Sequence, residues 1–176
     1  QPMTIGEWLG TGQMALELGA VELSSLVHAL VARMEEALAT AGCVAVVHAD
    51  QPVVALADRP RVEQVLMNLL TNAMKYAPGL PVELYVERDG EEAIIAVRDW
   101  GPGIPPEARE RIFERFTRNS GEHARASLGL GLYISRQLAR AHGGDLSVEA
   151  PPEGGPGSRF VLRLPRWKKP SGTAPG

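Results

Sequence analysis

A single domain of the α/β class is predicted by three features of this chain. Apolar residues recur at helical spacing in three separated stretches, short runs of branched residues lie between them, and a tight polar turn joins two of those runs. With 176 residues, 44% of them hydrophobic, and a formal net charge of −3, the chain can bury a core and has an ordinary globular balance.

The elements follow in order. Residues 1–20 carry Gly6, Gly10, Gly12 and Gly19 among scattered apolar residues and read as a linking segment. Leu23, Leu26, Val27, Leu30, Val31, Met34 and Leu38 then recur at three and four, which predicts one amphipathic helix over Val21–Ala41 ended by Gly42. Short strands are expected near Cys43–His48 and Val53–Leu56. A second helix is expected from Arg59 to Tyr76, with Asp58 as its N-cap and Pro78-Gly79 as its stop. Val82–Glu87 and Glu92–Arg98 read as a hairpin about a tight Asp89-Gly90 turn. Pro105–Phe116 should hold short helices within a long connection. Thr117–Leu128 is polar, as lids often are. A third helix over Gly131–Ala141 ends at His142-Gly143-Gly144, and strands Asp145–Glu149 and Ser158–Leu164 close the domain. The domain is thus drawn at residues 21–165, with 166–176 as a flexible tail.

Several function classes are disfavoured. Basic residues do not outnumber acidic ones, and beyond the arginines near Phe113 there is only the short Arg166–Lys169 run, so no nucleic-acid partner is expected. The single cysteine, Cys43, leaves no intrachain disulfide and no cysteine-based metal site, which fits a reducing, cytoplasmic compartment. No apolar run approaches the roughly 18–20 residues of a membrane span. This fragment should therefore make no direct membrane contact, although a parent protein could be membrane-anchored.

Four segments carry the chemistry. On the second helix Val62, Val65, Leu66, Leu69, Leu70 and Ala73 share an apolar stripe, and Asn68, Asn72 and Lys75 share a second face beside it. Alone, that second face could be merely a solvated surface. Next, Asp99, Trp100, Gly101, Pro102, Gly103 and Ile104 follow the buried-strand pattern of Glu92–Arg98, placing an acid and two glycines at a strand exit, where backbone can approach a ligand closely. Phe113 and Phe116 then stand among several arginines, Arg118 included. Finally Gly129, Leu130, Gly131 and Leu132 run straight into a helix, and amides at a glycine-rich helix start are natural anion donors.

In this order the segments resemble the N, G1, F and G2 boxes of the ATP-binding domain of sensor histidine kinases. These belong to the wider superfamily of gyrase, heat-shock chaperone, kinase and mismatch-repair ATPases. The resemblance covers roughly Val21 to Leu164. It implies a two-layer α/β sandwich, the Bergerat ATP-binding fold, with about three helices on one face of a mixed, mainly antiparallel sheet. It implies that Asp99 meets the exocyclic amine of adenine and repels the carbonyl that guanine carries there. Gly101, Gly103 and Ile104 would complete that turn. Asn72 would be the Mg2+ ligand, Lys75 would neighbour the phosphates and Tyr76 the base, and the amides of Gly129, Leu130, Gly131 and Leu132 would cradle phosphate. Arg118 would reach the γ-phosphate when a lid closes. Phe113 and Phe116 would anchor that lid. Ser127 departs from the glycine that such kinases often carry two residues before the G2 pair, which bears on lid flexibility.

Asn68 adds a mechanistic expectation. Hydrolytic branches of the superfamily place a water-activating glutamate there, and an amide cannot act as a general base. The site is therefore expected to hold ATP for an outside nucleophile, with Asn68, Lys75 and Arg118 as the catalytic set. The resemblance implies the catalytic domain of a two-component sensor histidine kinase. Its phosphoacceptor histidine would sit on a separate dimerisation domain, with a response regulator receiver domain downstream. None of His28, His48, His123 and His142 has the sequence context of that acceptor, and residues 1–20 would be the remnant of the connection to the missing unit. The alternatives are a non-catalytic ATP-binding regulatory module and an anti-sigma-factor serine kinase of the same superfamily.

Overall fold

The computed structural model describes residues 15–114 and 129–169. Strand β1 (Gly19–Glu22) leads into helices α1 (Leu23–Arg33) and α2 (Glu35–Ala41), then strands β2 (Ala45–His48) and β3 (Val54–Ala57). Helix α3 (Arg59–Tyr76) precedes the hairpin β4 (Val82–Asp89) and β5 (Glu92–Asp99). Two 3-10 helices, Pro106–Ala108 and Arg111–Phe113, lie on the connection beyond. Helix α4 (Gly129–Ala141) and strands β6 (Asp145–Glu149) and β7 (Ser158–Pro165) complete the order.

Five strands form the main sheet in the order β2-β4-β5-β7-β6, with β2 parallel to β4 and every other pairing antiparallel. Side chains alternate across it. Leu84, Ile95, Val97, Phe160 and Leu162 share a core with Leu26, Leu30, Leu66, Leu69, Leu70, Leu132 and Leu138 from the helices. Among the described residues the opposite face holds a small apolar patch, Ile94, Ala96 and Val161 with Tyr85 against it. This is the two-layer arrangement that the resemblance implied.

Helix α3 has the expected bounds because its signals are local. Asp58 accepts from the Arg61 N–H at 3.4 Å, Pro60 sits in the first turn, and Val62, Val65, Leu66, Leu69, Leu70 and Ala73 are buried. The hairpin differs by one position. Asp89 pairs with Glu92, so the two central residues are Gly90, at φ +60°, and Glu91. Gly90 thus occupies the first central position, where a two-residue loop needs positive φ.

The expected helix over Val21–Ala41 is corrected. Gly19–Glu22 pairs antiparallel with Val54–Ala57, and Leu23 N–H donates to the Val53 carbonyl. The helix then begins at Leu23, where the Glu22 carboxylate caps the N–H groups of Ser24 and Ser25. It breaks again at Met34, whose φ of −98° and ψ of 8° separate α1 from α2. Apolar spacing alone cannot tell a strand residue from a helix residue when the strand's partner lies more than thirty positions away.

The outer boundaries also differ in detail. Gly19 and Ala20, expected in the linking segment, are strand residues facing Ala57 and Leu56. Arg166, expected in the tail, bridges Ala55, and the Trp167 N–H donates to the Val54 carbonyl at 2.9 Å. The rest of the expected linker, residues 1–14, and of the tail, 170–176, lies outside the described residues. Among the described residues no helix is long and apolar enough to cross a membrane.

Candidate functional site

Helix α3 carries the first group of candidate residues on the face beside its apolar stripe. Asn72 is 1% exposed, and neither atom of its amide finds a hydrogen-bond partner among the described residues. An unpaired buried amide costs about 1–3 kcal/mol, so its retention calls for a ligand. One turn earlier, the Asn68 Nδ2 donates to the Ser135 hydroxyl on α4 at 3.2 Å. A methyl group on Gly131 would stand 2.7 Å from the Asn68 Oδ1, so a glycine is what lets the start of α4 approach this asparagine. Lys75 is exposed, with its ammonium 5.4 Å from the centre of the half-buried Tyr76 ring.

The strand exit supplies the second group. Asp99 is 2% exposed, and its Oδ1 accepts from the Gly101 N–H at 3.0 Å. One carboxylate oxygen thus shapes the turn, as aspartates at such bends do, and the same residue remains the candidate base reader. Gly101 abuts the end of α3: a side chain there would come within 3.2 Å of the Tyr76 carbonyl and of Ala77. Gly103 follows at φ +81°. Ile104 packs partly against the core, and its carbonyl accepts from the Arg109 guanidinium at 3.3 Å.

Helix α3 therefore touches both other groups, Gly101 at its C-terminal end and Gly131 through Asn68. Gly129 and Leu130 open α4, where the first-turn N–H groups have no partner within the helix. The Leu132 side chain is fully buried in the core, so its contribution to a ligand is limited to its backbone. Phe113 is buried edge-on against Phe160 with ring centres 6.3 Å apart, as an anchor of the connection. Arg118, Phe116, His123 and Ser127 lie outside the described residues.

Two residues of the site's frame, Ser135 and Arg136, escaped the sequence reading, and a third, His142, was placed only at a helix end. Ser135, 3% exposed, holds the Asn68 amide. Arg136, 9% exposed, lies 4.7 Å from the Phe113 ring centre and pairs with Glu110 at 3.0 Å and Asp145 at 3.4 Å, tying the connection to α4. His142 is buried at the other end of α4. Its Nδ1–H donates to the Leu138 carbonyl at 2.7 Å, and its Nε2 accepts from the Asp58 N–H at 3.1 Å. Both nitrogens are engaged, which suits a clamp between helices rather than a phosphoacceptor. The contacts Asp58 with His142 and Asn68 with Ser135 run in opposite directions along α3 and α4, so the two helices are antiparallel. The available signal was polar residues inside the apolar pattern of α4, but their partners lie 67 and 84 positions away.

Comparison with known proteins agrees with this fold. Residues 57–168 match the family model described as histidine kinase-, DNA gyrase B-, and HSP90-like ATPase. The chain is 42% identical over 123 residues to the signal transduction histidine-protein kinase AfsQ2 of Streptomyces coelicolor, covering 69% of this chain and 22% of that protein. The structure is similar to full-length ShkA in complex with AMPPNP, with TM-score 0.76 and 31% identity over 90% of this chain and 33% of that one. It is similar also to the catalytic domain of the histidine kinase ThkA, with TM-score 0.75 and 26% identity over 88% of this chain and all of that one. ThkA in complex with the response regulator protein TrrA matches with TM-score 0.72 and 25% identity over 93% of this chain and 46% of that one. The chain thus spans about a fifth of AfsQ2 and the whole of the ThkA catalytic domain. It belongs to the histidine kinase-, DNA gyrase B- and HSP90-like ATPase family, as an ATP-binding catalytic domain of the sensor histidine kinase type.

Proposed function

We propose that this domain binds Mg-ATP and passes the γ-phosphoryl group to a histidine on a separate dimerisation domain, as the catalytic part of a two-component sensor kinase. The observation that carries the reading is the pair of amides on α3. Asn72 is buried with no partner among the described residues, and Asn68, which holds Ser135, is by the resemblance at the position where hydrolytic members of the superfamily carry a glutamate. The first asks for a ligand and the second supplies no base for activating water. Together they favour holding ATP for a nucleophile brought from outside.

The roles are those that the resemblance implies, and the chemistry of each group suits them. Asp99 accepts from the exocyclic amine of adenine, and Gly101, Gly103 and Ile104 shape the turn that carries it. Tyr76 would border the base, and Lys75 would neighbour the phosphates. The N–H groups of Gly129, Leu130, Gly131 and Leu132 bind phosphate oxygens at the start of α4. The orphaned Asn72 amide suits a hard cation, and we assign its Oδ1 as the protein ligand of Mg2+. Bound there, the ion would supply positive charge to offset that of the phosphates. Arg118 completes the set as the donor to the transferring group. The acceptor histidine belongs to the dimerisation domain, the next acceptor to a response regulator receiver domain, and the reaction to the cytoplasm. The similarity to ThkA, whose structure with the response regulator TrrA is known, supports the second partner.

Calorimetric titration of ADP and a non-hydrolysable ATP analogue, with and without magnesium, tests the site in wild type and Asp99→Asn. Loss of a charge-assisted hydrogen bond should weaken binding about 10- to 150-fold in the variant. Adding a separately produced dimerisation domain with labelled ATP should then yield acid-labile phosphate. A well-folded wild type that binds no nucleotide would end the kinase reading. Tight binding without transfer would point to a regulatory module, and acid-stable phosphoserine on a partner to a serine kinase.

A further inference from the structure

We propose that Arg98, Trp100 and the β6–β7 loop form a brace behind the strand exit that positions Asp99 and thereby sets the preference for adenine over guanine. The inference rests on the proposed role of Asp99 as base reader. Alternation along β5 turns Asp99 and Arg98 to opposite faces of the sheet. Arg98 is nevertheless 1% exposed, and arginine is rarely buried to this degree unless it is paired. Its guanidinium lies 3.5 Å from the centre of the Trp100 ring, forms an ion pair with Glu153 and donates through Nη2 to the Pro156 carbonyl at 2.9 Å. Both loop partners come from the segment between β6 and β7, more than fifty positions along the chain.

The same loop reaches the backbone of Asp99 itself. Gly157, at φ +104°, passes so close that an added Cβ would stand 1.9 Å from the Asp99 carbonyl oxygen and 3.0 Å from the Trp100 Cα. Its own carbonyl would lie 3.0 Å from a Cβ on Gly103. In front, the Asp99 carboxylate holds the Gly101 N–H. The peptide of Asp99 is thus held on both sides: by the Arg98 fork before it, by Trp100 stacked on that fork after it, and by Gly157 against its carbonyl. A carboxylate distinguishes an amine from a carbonyl only where the base edge meets it, and an error of about 1 Å in such a contact can cost a hundredfold. A fold that buries a charge here obtains a fixed position for the neighbouring acid. Glu153 is largely exposed, so the guanidinium's hold on the Pro156 carbonyl and its stack on Trp100 matter more than the ion pair.

The test compares ADP with GDP binding across five variants, each first checked for cooperative thermal unfolding. Gly157→Ala drives a methyl into the Asp99 carbonyl, whereas Gly154→Ala, in the same loop at φ +81°, meets nothing within 4 Å. Arg98→Met keeps the apolar stem and removes both loop bonds, and Arg98→Lys keeps the charge without the fork. Gly157→Ala and Arg98→Met are expected to lower the ADP-to-GDP affinity ratio about tenfold or more, Arg98→Lys to lower it less, and Gly154→Ala to leave it unchanged. A merely structural role would lower stability and leave the ratio alone. If Gly157→Ala does not fold, the two arginine variants decide. A ratio preserved in folded Arg98→Met, or lost equally in Gly154→Ala, overturns the brace. Asp99→Asn separates the two levels. If it abolishes the preference while the brace variants do not, only the brace falls; if it leaves the preference intact, the assignment of Asp99 falls with it.

Discussion

Replacing Asn72 by leucine should make the domain more heat-stable and unable to bind nucleotide with magnesium. Asn72 is 1% exposed, and both polar atoms of its amide lack a partner among the described residues. Relieving an unpaired buried amide returns about 1–3 kcal/mol. Leucine is similar in volume, so its extra apolar burial and its imperfect fit, each worth about 1.5 kcal/mol, roughly cancel. At about 2–4 °C per kcal/mol for a domain of this size, the melting temperature without ligand should rise by about 2–12 °C. Wild type with Mg-ADP at a hundred times its dissociation constant should gain about 2.7 kcal/mol, and the leucine variant nothing. Differential scanning calorimetry with and without Mg-ADP measures both quantities in one series. A variant that melts lower and is still stabilised by Mg-ADP would make Asn72 a core residue, and the argument from its orphaned amide would fail. Asn72→Ala is a weaker probe of stability, because it adds a cavity to the relieved penalty.

Four further outcomes are expected. In a double-mutant cycle, Ser135→Ala and Asn68→Ala should couple by about 0.5–1.5 kcal/mol in nucleotide binding, and strict additivity would mean that the Ser135 hydroxyl does not act through Asn68. His142→Phe should cost about 1–3 kcal/mol in a denaturant titration, because it leaves the Asp58 N–H without an acceptor, while the Leu138 carbonyl keeps its bond from the residue 142 N–H; a loss below about 0.5 kcal/mol would refute the clamp. Arg118→Ala should slow phosphoryl transfer more than it weakens ADP binding, and equal losses would count against contact with the γ-phosphate. The last concerns acid stability. Burial opposes ionisation of Asp145, but the Leu146 N–H and the Arg140 and Arg136 guanidiniums outweigh it and hold the carboxyl below its ordinary 3.8. A depressed folded value means stability that is present above 3.8 and lost as pH falls through the folded value. Asp145→Asn should therefore flatten the acid limb of the stability curve below that point, and an unchanged limb would disprove the contribution.

The sequence by itself determined whatever depends on neighbours within about one helical turn or one tight turn. Helix α3 is the clearest case, since Asp58, Pro60, the apolar stripe and Pro78-Gly79 all act on the backbone beside them. The order of the four chemistry-bearing segments was equally legible, and with it the family and the two-layer fold. The Asp99 turn was legible in kind, because an acid that bonds an N–H two residues on is a local device. Tertiary structure decided the rest. Gly19–Glu22 became a strand only because β3, more than thirty positions away, offered it a ladder, and Arg166 and Trp167 joined the other side of that same strand. Ser135 and His142 acquired roles only when α4 was laid antiparallel on α3. Arg98 ends a run that reads in the chain as a buried strand, but the loop partners that let a guanidinium be 1% exposed there lie more than fifty positions away. In each of these cases the partner is remote in sequence, and no local pattern encodes a partner that only the packing of sheet and helices brings within bonding distance.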